Sequence, residues 1–145
     1  MAATALSHAY PLGSRINERG HLEVGGCDVV ELAERYGTPA YIYDEDDIRA
    51  RARAYVAAFQ SRTDDFEVIY ASKALPITAA YKVMGEERLS VDVASGGELY
   101  LALRAGIDPA RIFMHGNNKT EAELKMAFDA GVAYLVLDSF SEIDR

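Results

Sequence analysis

One cysteine, Cys27, stands among the 145 residues. A lone thiol cannot close an internal disulfide, and without further sulfur or clustered histidine it is a poor start for a metal site. Its expected role is that of a small buried residue. The three histidines, His8, His21 and His115, are scattered, so no zinc site is expected. No stretch approaches the roughly 20 apolar residues of a membrane-spanning helix. The opening Met1-Ala2-Ala3-Thr4-Ala5-Leu6-Ser7-His8 lacks the basic and apolar regions of a secretory signal, which makes the cytoplasm the expected location. Positive charge is in short supply. Lys and Arg number 15 against 23 Asp and Glu, a formal net charge of −8, and nucleic acid normally meets a basic surface. Arg49, Arg51 and Arg53 follow Asp44, Glu45, Asp46 and Asp47 and read as one solvated helix. Low-complexity tracts and tandem sequence repeats are absent.

Half of the residues are hydrophobic, enough to bury a core as one domain. Residues 1–27 are turn-rich, with Gly13, Gly20, Gly25 and Gly26 around the extended stretch His21-Leu22-Glu23-Val24. Such a segment is hard to stabilise alone and reads as an arm that docks elsewhere. Asp28 opens a helical pattern through Val29, Leu32, Ala33 and Tyr36, which Gly37 stops. Ala40-Tyr41-Ile42-Tyr43 reads as a strand. Asp44 is a natural N-cap, so the acidic run after it is better explained by the helix dipole than by a metal. The helix that follows presents Ile48, Ala52, Tyr55, Val56 and Phe59 on one face.

From residue 66 a rhythm begins. Strands at 66–71, 89–93, 111–114 and 133–137 alternate with helices at 76–84, 97–104 and 120–130, and Ser139 caps a fourth helix. Strand, loop and helix recur about every 22 residues, and such βα units build parallel sheets. A doubly wound sheet and an eight-stranded barrel both fit this pattern. No glycine-rich phosphate fingerprint follows any strand, since Gly96-Gly97 is only a pair. The even repeat favours a partial parallel (β/α)8 barrel, about its first four βα units. A complete barrel needs about 250 residues.

In such a barrel the chemistry gathers at the C-terminal ends of the strands. Those ends are Ser72-Lys73-Ala74, 92–97, His115-Gly116-Asn117-Asn118-Lys119 and Asp138-Ser139, and each turns polar where its strand stops. Alternation separates apolar Leu89, Val91 and Val93, which should pack on helices, from Ser90, Asp92 and Ala94, which should face the barrel interior. If Lys73 also points inward, its amine meets the Asp92 carboxylate at the mouth. A strand-end lysine can simply reach water. The functional alternative is Schiff-base chemistry, because a buried lysine amine shifts its pKa readily and attacks carbonyl carbons. Ala71 and Ala74 leave room beside it for a flat ring. For Asp92 a salt bridge competes with a catalytic role, for His115 a packed loop position competes with a site role, and Asn117 and Asn118 suit a turn.

The segment Val68-Ile69-Tyr70-Ala71-Ser72-Lys73-Ala74 resembles the lysine motif of the pyridoxal-phosphate-dependent decarboxylases built on the alanine-racemase-like (fold III) barrel. The diaminopimelate decarboxylases are the branch it matches best. Four further stretches agree, in order and with the expected gaps: Tyr36-Gly37-Thr38-Pro39-Ala40-Tyr41-Ile42-Tyr43-Asp44, Asp92-Val93-Ala94-Ser95-Gly96-Gly97-Glu98-Leu99, His115-Gly116-Asn117-Asn118-Lys119 and Leu137-Asp138-Ser139. The likeness runs from about Gly25 onward.

The resemblance implies that Lys73 carries pyridoxal 5'-phosphate and exchanges it for the substrate's amine. It implies that Asp92 lies near the cofactor and this lysine, and that His115 and Asn117 line the cofactor side of the mouth. The implied reaction removes the carboxylate at the D-configured centre of meso-2,6-diaminopimelate, giving L-lysine and carbon dioxide, the last step of lysine biosynthesis. A homodimer of the full-length protein is implied as well, as is a β-domain that the arm at 1–27 would join, with residues 28–145 forming the first half of the cofactor barrel. The family's phosphate loop, its acid opposite the pyridine nitrogen and its substrate residues belong to a later half, so the chain by itself is expected to be nearly inactive. Rival readings keep the fold and change the substrate, to ornithine, arginine or carboxynorspermidine, or make the protein a non-catalytic carrier of the cofactor.

Overall fold

The computed structural model describes residues 6–144 and divides into two compact units, residues 1–51 and 52–145. In the first, the short strands β1 (Arg15–Ile16), β2 (Leu22–Val24) and β3 (Cys27–Asp28) form an antiparallel sheet in the order β1-β2-β3. Helix α1 (Val29–Tyr36) packs on β2 and β3. The arm thus finds a partner within its own unit.

Asp28 makes that junction. As N-cap of α1 its carboxylate accepts from the Val30 and Glu31 amides. It also accepts from Asn17 Nδ2 at 2.7 Å, from the Arg19 guanidinium at 2.7 Å and from His21 Nδ1 at 2.9 Å. A carboxylate only accepts, so the His21 proton sits on Nδ1. Burial works to raise the Asp28 pKa, but the bonds from Asn17, His21, Val30 and Glu31 together outweigh it and hold the carboxyl far below the usual range. Cys27, expected to be buried, is exposed, because the alternating strand sends Asp28 inward and its neighbour outward. Residues 40–43, expected as a strand, have no strand partner among the described residues and run as irregular backbone.

Helix α2 (Glu45–Gln60) begins where Asp44 accepts from the Asp46 and Asp47 amides. The acidic first turn therefore serves helix initiation. Of its expected apolar face, Ala52 is buried, while Tyr55 and Phe59 remain exposed. Phe59 stacks on Phe66 with centroids 6.0 Å apart, which covers only one face of the ring.

The second unit is a βα repeat. Strands β4 (Ile69–Ala71), β5 (Ser90–Val93), β6 (Ile112–Met114) and β7 (Tyr134–Leu135) alternate with α3 (Thr78–Glu86), α4 (Gly96–Arg104), α5 (Glu121–Ala130) and α6 (Phe140–Ile143). The four strands are parallel and lie in chain order, β4-β5-β6-β7. A doubly wound sheet reverses its strand order at a switch point; this one does not, and it is an arc of a parallel barrel. Gly131, at φ +75°, ends α5 as a left-handed C-cap. Ser139 precedes α6 but makes no capping bond; its hydroxyl pairs with Ser141 instead.

Register sorts the two faces. Val91, Val93, Ile112 and Met114 are fully buried under the helices, with Leu89 nearly so. Each such side chain contributes roughly 1.5–3 kcal/mol. The opposite face carries the row Ala71, Asp92, Phe113, Tyr134 across the sheet. It is the barrel interior, as the alternation of Ser90, Asp92 and Ala94 predicts. Phe113 and Tyr134 stack there with centroids 4.3 Å apart, and Ser90 donates to Glu67 near the N-terminal ends of the strands.

Candidate active site

Past Ala71 the chain leaves the strand in a tight 3-10 turn, Ser72–Ala74, rather than continuing the alternation. Lys73 occupies its middle and is exposed. Among the described residues no hydrogen bond or ion pair engages its amine. The expected pairing with Asp92 is therefore not formed, because the turn breaks the period of two that would have put both groups on one face. Asp92 stands on the interior face between Ala71 and Phe113, half-buried and also without a side-chain partner among the described residues.

His115 follows β6, its amide donating to the Val93 carbonyl at 2.7 Å. Its exposed ring lies with Nε2 3.9 Å from Asp138 Oδ1, a loose approach. Asn117 is exposed, and its side chain is unbonded among the described residues. The loops after β4, β6 and β7 thus bring Lys73, His115 and Asp138 to the end of the sheet where Asp92 stands near the close of β5.

The rim that carries these groups is built by three glutamates, Glu98, Glu123 and Glu142, that the sequence reading left without a role. The spacing Ser/Thr-x-x-Glu recurs at Ser95–Glu98, Thr120–Glu123 and Ser139–Glu142, the pattern of a capping box. Each glutamate binds its own loop and the loop before it. Glu98 accepts from the Ala94 amide at 2.6 Å and from Ser72 Oγ at 3.4 Å. Glu123 completes a capping box with Thr120 and accepts from the Gly96 amide at 2.8 Å; the amides of Thr120 and Gly96 and the Thr120 hydroxyl hold its pKa low against burial. Glu142 accepts from the Asp138 amide at 2.9 Å and meets Lys119 Nζ at 3.1 Å.

Lys119 is the least expected member. Its side chain is fully buried and donates to the carbonyls of Gly116 and Val136, the latter at 2.8 Å. Glu142 stands beside it with a side chain 2% exposed. The bond from the Asp138 amide lowers the Glu142 pKa, burial opposes, and Lys119 adds to the lowering. Gly116 passes so near the previous loop that a Cβ there would sit 2.7 Å from the Ala94 carbonyl oxygen, at φ +100°. A signal for this rim was present in the recurring capping spacing; the burial of Lys119 left none.

A partnerless primary amine, a half-buried carboxylate and an imidazole beside the exposed Ala71, Ala74 and Ala94 form an arrangement suited to binding an aldehyde. The small side chains leave an open floor on which a planar ring can lie.

Residues 45–145 match the family described as pyridoxal-dependent decarboxylase, pyridoxal binding domain. The diaminopimelate decarboxylase of Halalkalibacterium halodurans is 50% identical over 131 residues, covering 90% of this chain and 30% of that protein. The one from Bacillus subtilis is 50% identical over 130 residues, with the same shares covered. Among solved structures, diaminopimelate decarboxylase from M. jannaschii superposes with a TM-score of 0.84 at 33% identity, covering 90% of this chain and 31% of that one. A lysine/ornithine decarboxylase from Vibrio vulnificus, complexed with putrescine, gives 0.70 at 26% identity, covering 80% and 31%. The chain spans about 30% of the length of the curated relatives it matches.

Proposed function

The chain belongs to the pyridoxal-dependent decarboxylase family through its pyridoxal-binding domain, and on that premise we propose that it supplies the lysine-bearing part of a diaminopimelate decarboxylase. The observation that carries this reading is Lys73, an exposed amine without a protein partner at the C-terminal end of a parallel strand. An amine left free in that place is available to a carbonyl carbon.

Pyridoxal phosphate, held there, would supply an electron sink for decarboxylation. Lys73 would hold the cofactor through its amine and carry a proton on Nζ. Asp92 offers a carboxylate from the interior face of the sheet, beneath the place where the ring would lie. His115 and Asn117 line the rim of the cofactor site. The substrate class is a diamino acid, and the higher identity to the diaminopimelate enzymes than to the lysine/ornithine enzyme supports meso-diaminopimelate within it. On this reading the working enzyme is a cytoplasmic homodimer, and residues 1–27 join a further β-rich domain.

The test is a titration with pyridoxal phosphate, followed by borohydride reduction and peptide mass mapping. Condensation of the Lys73 amine with the aldehyde releases water, and hydride then fixes the carbon–nitrogen bond as a stable secondary amine. A reduced adduct on Lys73, absent in Lys73→Ala, is the expected result. The chain alone is expected to make no L-lysine from meso-diaminopimelate, whereas a chimera joining it to the remaining length of the Bacillus subtilis relative should make it. A chimera that folds yet never labels Lys73 would overturn the reading.

A further inference from the structure

Behind the Lys73 turn lies a buried polar cluster that the proposed chemistry does not use. Ser72 and Tyr81 are both completely buried. Ser72 Oγ donates to Glu98 at the long distance of 3.4 Å. The Tyr81 hydroxyl has no hydrogen-bond partner of ordinary geometry, although Ser72 is close enough to counter part of the rise in its pKa that burial causes. An unsatisfied hydroxyl in a core costs free energy. A core that keeps one, where phenylalanine would fill the same space, has a use for it.

The donor and acceptor types of the three groups allow one hydrogen-bond direction. A tyrosine hydroxyl can donate to Ser72 Oγ while that oxygen donates its own proton to the Glu98 carboxylate. We propose that Tyr81, Ser72 and Glu98 form a relay that positions Lys73, gripping its turn from α3 on one side and α4 on the other. Tyr81 and Ser72 touch neither cofactor nor substrate on this proposal; they act through the turn. Because Glu98 also accepts from the Ala94 amide at 2.6 Å, the relay fixes the loop after β5 with the same carboxylate. The backbone of the turn is closed by the Leu75 amide on the Ser72 carbonyl at 2.9 Å. Loss of the Ser72 side-chain anchor therefore loosens the segment that aims the amine.

The proposal rests on Lys73 being the cofactor lysine, and the experiment separates the two. The full chain is labelled with pyridoxal phosphate and borohydride, and the Lys73 adduct is measured relative to that on exposed Lys82. Buried Lys119 reports any general unfolding. Ser72→Ala should lower the Lys73 to Lys82 ratio about tenfold, the scale of one charge-assisted hydrogen bond, and Tyr81→Phe should lower it by a smaller factor. The double variant should fall no further than Ser72→Ala, since Tyr81 acts through Ser72, while Lys119 stays protected. Ratios unchanged in both single variants, or factors that multiply in the double variant, overturn the relay. Should the parent chain show no preference for Lys73, the cofactor reading fails by itself. Amide exchange at Leu75 then decides the relay: faster exchange in Ser72→Ala and Tyr81→Phe supports it, and unchanged exchange overturns it.

Discussion

Gly116→Ala is the sharpest test of how the rim is assembled, because the structure states both parts of its cost. At φ +100° an L-residue occupies backbone space that costs about 1–3 kcal/mol. The new methyl would also stand 2.7 Å from the Ala94 carbonyl oxygen, a backbone atom that cannot swing aside as a side chain would. Both neighbours are tethered, the loop after β6 through the His115 amide on the Val93 carbonyl and through Lys119 on the Gly116 carbonyl. Relieving the overlap means moving one strand end relative to the next, which for an overpacked site costs about 1–3 kcal/mol. Together these come to about 2–6 kcal/mol, a large part of the 5–15 kcal/mol typical of a domain. With a urea slope of about 1–3 kcal/mol per molar, the midpoint should fall by at least about 0.7 M. Equilibrium urea unfolding followed by tyrosine fluorescence reads this directly. Gly131→Ala is the control, since a left-handed φ of +75° there meets nothing within 4 Å, so it carries the conformational cost without the overlap. If Gly116→Ala loses no more than Gly131→Ala, the close approach of the two loops does not exist as described.

Lys119→Met removes the buried cation and leaves Glu142 facing the gap, so it should lower the urea midpoint well beyond the exposed control Lys82→Met. Adding Glu142→Gln should recover part of that loss, because the uncompensated charge is gone; no recovery would refute the pairing. In the N-terminal unit, Asp28 has a depressed folded-state pKa, so its stabilisation is fully present above the unfolded value of about 3.9 and is lost as pH falls towards the folded value. Denaturant midpoints measured from about pH 6 down to pH 3 should therefore drop more steeply for the parent chain than for Asp28→Asn. Parallel curves would show that the knot with Asn17, Arg19 and His21 does not hold the arm.

The repeat of strands and helices was legible because its signals are local. Asp28, Thr120 and Gly131 cap helices in the structure as their types predict. The inward row of Ser90 and Asp92 followed from the alternation opposite Leu89, Val91 and Val93, whose burial the structure bears out. Where the reading failed, the deciding atoms lay far off in sequence or in a turn that breaks periodicity. Lys73 and Asp92 do not pair because the 3-10 turn redirects the chain after Ala71. Nothing in the loop sequence marks Lys119 for burial, because its acceptors at Val136 and Glu142 come from the next repeat. Residues 40–43 have the composition of a strand, but a strand exists only where another lies beside it.

The three glutamates explain why the mouth can present so many unbonded groups. A βα loop carries amides and carbonyls that must be paired, and the obvious donors and acceptors nearby are the side chains at the mouth itself. Glu98, Glu123 and Glu142 take over that task from behind, each closing its own helix start and holding the loop before it. Lys119 does the same for the carbonyls of Gly116 and Val136. Lys73, Asp92 and Asn117 are thereby released from structural duty, and among the described residues their side chains bond to no protein group. The bracing also has a direction: every carboxylate reaches back one repeat, so the lysine turn is secured by Glu98 on α4, the helix of the next repeat. Glu98's own loop is held by Glu123 through Gly96. A site built in this way places its reactive residue first and its supports later, and a weakened support near α6 should reach Lys73 only after passing through the two clasps between them.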